Sequence, residues 1–184
     1  MTATSFDSAR AVRFDLPRGA VQAGSDDERV ILIPSSALDD LALSVPPEAV
    51  DALGRSLGTS IGKRAVARVP DARSASVEEF VTQLAGEAAV AGIGVITVER
   101  WGRALVVVIE ASPLASAWLA PVVASALSVA FGRNVATVLL SRDTHDARVL
   151  VASQRGVDRV RDWIASGTPW GEALARLHTD GARE

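Results

Sequence analysis

The chain has 184 residues, 48% of them hydrophobic and 22% charged, with a formal net charge of −3 and no cysteine. That apolar content excludes a disordered chain, and the missing cysteine excludes disulfides, thiolate zinc sites and a cysteine nucleophile. The mildly acidic balance argues against a nucleic-acid binder, which carries a basic face, and two histidines leave little material for a metal or acid–base centre.

The length fits one domain, read here as residues 11–178 between flexible tails at 1–10 and 179–184. Residues 1–7 have neither a basic stretch nor an apolar core, so no signal peptide is expected and the protein is placed in the cytoplasm. Val12, Phe14 and Leu16 alternate with Arg13 and Asp15, the period of a half-buried strand. The apolar run Val30-Ile31-Leu32-Ile33 predicts a second strand pairing with the first. Ser35 or Ser36 is expected to cap a short helix over 37–43. Pro46-Pro47 opens a longer helix to about residue 69, with Val50, Leu53, Leu57, Ile61 and Ala65 at spacings of three or four.

Ser76-Val77-Glu78-Glu79 is a capping box for a helix carrying Phe80, Leu84, Ala88 and Val90. Residues 93–99 and 104–110 read as a hairpin around Arg100-Trp101-Gly102-Arg103. The stretch 111–132 has no charged residue, yet Pro113, Pro121 and four serines suit a buried helix over 113–131 better than a membrane span. A second hairpin, 134–141 with 147–152, turns at Arg142-Asp143-Thr144-His145-Asp146. Two helices close the chain, one marked by Val157, Val160, Trp163 and Ile164, the other opened by Pro169. The resulting fold class is α+β: an antiparallel sheet built from hairpins, with helices over one face.

Chemistry-bearing patterns are few. Gly54, Gly58 and Gly62 lie four apart and share one helix face, where another backbone can approach closely. Each costs about 1 kcal/mol of helix propensity relative to alanine, so a compensating contact is expected. Either tight core packing, or a dimer contact or cavity wall, would provide it; Ile61, Trp118, Leu119, Val122 and Val123 are assigned to the same wall. Gly58-Thr59-Ser60-Ile61-Gly62-Lys63 is no phosphate loop, because three residues separate the glycines, Arg64 follows the lysine, and the segment is helical. Asp143, His145 and Asp146 are the raw material for a small-molecule enzyme, but they are also ordinary turn residues. Arg100, Trp101 and Arg103 form a candidate partner contact, since Trp and Arg are common interface anchors.

Leu57-Gly58-Thr59-Ser60-Ile61-Gly62-Lys63-Arg64, followed by apolar Ala65 and Val66, resembles the helix motif of TRAPP vesicle-tethering subunits and of the related 4-vinyl-reductase-type domains. The later order of helix, hairpin, apolar helix, hairpin and helix also fits, so the resemblance spans residues 47–178. It implies a domain that dimerises through its N-terminal helices, with itself or a related subunit, and holds an apolar small ligand between helices and sheet. Relatives of this kind are ligand sensors or subunits of assemblies that regulate small GTPases. Two departures matter: without cysteine, neither the zinc site nor the lipidated thiol of some relatives can form. The last helix, from Pro169, is extra. The expected function is therefore a non-catalytic regulatory or scaffolding domain with no cofactor, metal or membrane span. An enzyme at the Asp143–Asp146 turn and an obligate subunit of a hetero-oligomer are the alternatives.

Overall fold

The computed structural model describes residues 5–24, 28–69, 76–102 and 104–181. Its elements are β1 (Val12–Asp15), β2 (Ala20–Ala23), β3 (Glu28–Val30), α1 (Ser35–Ser44), α2 (Pro47–Ala67), α3 (Val77–Val90), β4 (Val95–Trp101), β5 (Ala104–Glu110), α4 (Ser116–Phe131), β6 (Ala136–Arg142), β7 (Ala147–Ala152), α5 (Gln154–Ala165) and α6 (Trp170–Gly181). The fold is α+β, with two antiparallel sheets ordered β1-β2-β3 and β4-β5-β7-β6. No helix among the described residues is long and apolar enough to cross a membrane.

The four-stranded sheet is central. Its β5 sequence, Leu105-Val106-Val107-Val108-Ile109, is apolar at both parities, so both faces need cover. Val107, Ile109 and Val149 pack with Trp118, Leu119, Val122 and Leu127 of α4, beneath α2 and α3. Val106, Val108 and Leu150 pack on the other side with Val157 and Val160 of α5 and Ala173 and Leu174 of α6. Helices thus cover both faces, not one: α5 and α6 present an apolar stripe that takes the face left open by the N-terminal helices.

The N-terminal sheet departs from expectation. β1 pairs with β2, and β3 pairs with β2, so the strand at 28–30 does not pair with β1. Ala20-Val21-Gln22-Ala23 is too short and too weakly apolar to announce itself. A 3-10 turn over Leu16–Arg18 delivers the chain to it, closed by Gly19 in the left-handed region at φ 57°. Ile31, Leu32 and Ile33 fall outside any strand and are exposed. Helix α1 starts at Ser35 behind Pro34 with no side-chain cap, so the serines serve within the helix and not ahead of it. The Ser76 cap does form, its hydroxyl accepting the Glu79 N–H at 3.1 Å. Residues 1–4 and 182–184 lie outside the described residues. Phe6, placed above in a tail, lies against Gly86 and under the Arg68 guanidinium, 4.7 Å from its ring centre.

Candidate functional site

Helices α2 and α4 are in intimate contact along the glycine face. A Cβ at Gly54 would come 2.9 Å from Pro121 Cγ, one at Gly58 would overlap the Val122 carbonyl oxygen, and one at Gly62 would come 2.6 Å from the Ala126 oxygen. The contact points advance together along both helices, so the two run parallel. The glycine spacing therefore serves packing inside the chain, with the α4 backbone as its counterpart. Ile61, Trp118, Leu119, Val122 and Val123 are all buried in the same core. The stripe on α2 is shifted from the expected one: Gly54, Gly58 and Gly62 are buried, while Leu53 is exposed and Leu57 only half-buried.

Two polar atoms near the start of α4 lack a partner. Trp118 is 0% exposed with its indole N–H unpaired, and Ser112, equally buried, has an unpaired hydroxyl. Buried polar groups are nearly always hydrogen-bonded, so each is a place where a bound oxygen would be accepted. The backbone around them is firmly held. Arg142 Nη2 donates to the carbonyls of Ser112 and Leu114 at 2.9 and 3.0 Å, and Asp39 Oδ1 accepts the Ala115 N–H at 3.0 Å. Pro121 sits inside α4 and presents its ring to Gly54.

At the other end of α4 a groove of about 990 Å³ opens between the helix, the sheet end and the N-terminus of α5. Leu105, Phe131, Val135 and Val151 form its apolar floor; Arg55, Arg100, Arg133 and Arg161 stand around it, and no carboxylate lines it among the described residues. Ser153, which lines the same groove, caps α5 by accepting the Gly156 N–H at 3.2 Å.

A buried ion network joins the helical layer to the N-terminal sheet. Glu87 of α3 is fully buried and takes Arg64 Nε at 2.8 Å on one oxygen and Arg68 Nε on the other. Arg64 Nη1 also reaches Glu28 of β3 at 3.3 Å and Ser60 at 2.7 Å. The pattern held a signal for it: Glu87 lies seven residues after Phe80, on the buried stripe of α3, where a carboxylate needs a cation.

The remaining candidates separate. Arg100 and Trp101 belong to β4, not to the turn, and Trp101 packs edge-on against Trp170 of α6 at 5.6 Å while its N–H donates to Glu99 at 3.0 Å. Arg103 lies outside the described residues. Asp143, His145 and Asp146 are exposed in the β6–β7 turn. Their polar atoms serve the backbone: Asp146 Oδ1 accepts the Ala111 N–H at 3.1 Å, and the His145 carbonyl accepts the Ser112 N–H at 2.8 Å. Ala111 is held at φ 54° by these bonds, a conformation unfavourable for a residue with a side chain. Among the described residues no group of three or more His, Asp or Glu side chains is arranged to hold a metal ion.

No family model matches the sequence, and no curated protein matches it. The structure is similar to the crystal structure of the phenol-responsive sensory domain of the transcription activator PoxR with phenol, at a TM-score of 0.61 and 16% identity over 92% of each chain. At that identity the likeness establishes a shared fold.

Proposed function

We propose that this chain is a non-catalytic regulatory domain of the 4-vinyl-reductase and TRAPP-subunit type that dimerises and holds a small apolar ligand between α4 and the sheet. The observation that carries the reading is the fold shared, over 92% of both chains, with a phenol-responsive sensory domain. The helix motif at residues 57–66 supports the superfamily assignment. The unpaired indole N–H of Trp118 and hydroxyl of Ser112 support a ligand with a polar atom on an apolar body. The turn at Asp143, His145 and Asp146 counts against the enzyme alternative, because its polar groups hold backbone and the histidine faces solvent.

Dimerisation is supported by where apolar surface is left uncovered. Among the described residues, eight of the eleven exposed large hydrophobic ones fall between positions 14 and 53, Leu16, Ile31, Leu32 and Leu43 each being at least 74% exposed. Apolar surface concentrated in this way marks an interaction site, and the N-terminal segments would meet their counterparts in a second copy. Native mass spectrometry of the full chain, with and without added phenol, tests both parts together. The expected result is a species of twice the chain mass that retains a small organic molecule or takes up phenol. Leu32→Glu with Leu43→Glu should convert it to a monomer. A wild-type monomer that takes up nothing overturns the proposal.

A further inference from the structure

We infer that the groove at the C-terminal end of α4 is a binding site for an organic anion, a carboxylate carried on a hydrocarbon body. This goes beyond the interior ligand proposed above and does not require it. The carboxylate would be met by Arg133 and Arg161, and the hydrocarbon by Phe131, Val135 and Val151.

Charge distribution is the first ground. The chain as a whole is acidic, at −3, yet four guanidinium groups surround this one groove and no carboxylate lines it among the described residues. Like charges gathered around a concavity raise the local concentration of the opposite charge. The guanidinium fork fits a carboxylate with two parallel hydrogen bonds, which an ammonium group does not.

Availability is the second ground. Arg133 is exposed and makes no ion pair or hydrogen bond among the described residues. Arg161 pairs with Asp158 at 2.8 Å and Arg55 with Asp51 at 2.6 Å, both within one helix and about half exposed; Arg100 reaches Glu78 only at 4.0 Å. Exposed pairs of this kind contribute little, so a ligand carboxylate can displace them. The N-terminus of α5, which opens on the same groove at Ser153 and Gln154, adds the positive end of a helix dipole.

The floor is the third ground, and it decides between a polyanion and a small amphipathic acid. Phe131 is 39% exposed although it is a large apolar side chain, and it lies in this groove beside Val135 and Val151. A nucleic acid or an inorganic ion would leave that surface in water. A volume of about 990 Å³ is sized for a small organic molecule.

Calorimetric titration with two matched pairs of probes, octanoate against 1-octanol and benzoate against benzyl alcohol, tests the inference. At least one acid should bind tenfold or more tightly than its neutral partner. Arg133→Glu with Arg161→Glu, both at exposed positions, should weaken the acid tenfold or more while thermal melting stays unchanged, and Trp118→Phe should leave its affinity unaltered. If acid and alcohol bind equally, or if Trp118→Phe and not the arginine pair releases the acid, the inference falls and an interior ligand stands. If neither acid binds at millimolar concentration, the inference falls on its own, and the uptake of phenol decides the interior site separately.

Discussion

The two sheets of this chain meet opposite fates. In the four-stranded sheet, β5 is apolar at every position from Leu105 to Ile109, and α4 on one side and α5 and α6 on the other bury both faces. In the three-stranded sheet, β1 alternates Val12-Arg13-Phe14-Asp15, and Phe14 is still 57% exposed. An unbroken apolar strand obliges the chain to supply two covering layers. An alternating strand asks for one, and here the chain supplies little of it. The first sheet is a completed core; the second leaves its apolar side exposed.

The hardest blow to the completed side is at the glycine contact. Gly58→Ala adds a methyl group that overlaps the Val122 carbonyl, a backbone atom that cannot rotate away. Prying α2 from α4 would uncover the helical layer over the sheet, so a loss on the order of 4 kcal/mol is expected, a large fraction of a domain's stability. Urea denaturation followed by circular dichroism reads it. A wild-type midpoint would mean that the helices do not touch there.

A smaller effect is expected where the two regions are tied together. Glu87→Gln keeps the side chain's shape but removes the charge that Arg64 and Arg68 face. Removing one partner of a buried pair leaves the others uncompensated, at about 3 kcal/mol. Arg64 also holds Glu28 at 3.3 Å, so the loss should loosen β3 as well. Hydrogen exchange should therefore accelerate at Arg29 and Val30 beyond the acceleration at Val107 and Val149. Equal acceleration in both sheets would show that the network does not join them.

Much of the completed core was legible, and what was not has identifiable causes. The hairpins at β4–β5 and β6–β7, the charge-free helix and the Ser76 cap follow from local pattern. The cover on both sheet faces was written in Val106 and Val108, whose parity puts them opposite Val107, but periodicity in one strand does not say which helix answers it. The buried stripe of α2 was displaced because glycine carries no hydrophobic signal, although a close backbone contact selects it. Glu87 escapes a reading by pattern because a charged residue is usually assigned to solvent, despite its place on the Phe80 stripe. The groove arginines come from α2, β4, the segment before β6, and α5, so only the fold brings them together.

The smallest expected effect belongs to the turn that looked most like chemistry. His145→Ala removes an imidazole that is exposed, while the bond that matters there, Ser112 N–H to the His145 carbonyl at 2.8 Å, is made by the backbone and survives. Exposed substitutions of this kind stay within about 0.5 kcal/mol. Asp146→Ala is the sharper companion, since its carboxylate holds the Ala111 N–H at 3.1 Å in a conformation that needs support. A cost of about 1 kcal/mol is expected there. Melting curves for the two variants should separate in that order. A histidine variant that lost phenol uptake while melting normally would restore the turn as a functional site and place the chemistry at the rim of the completed sheet.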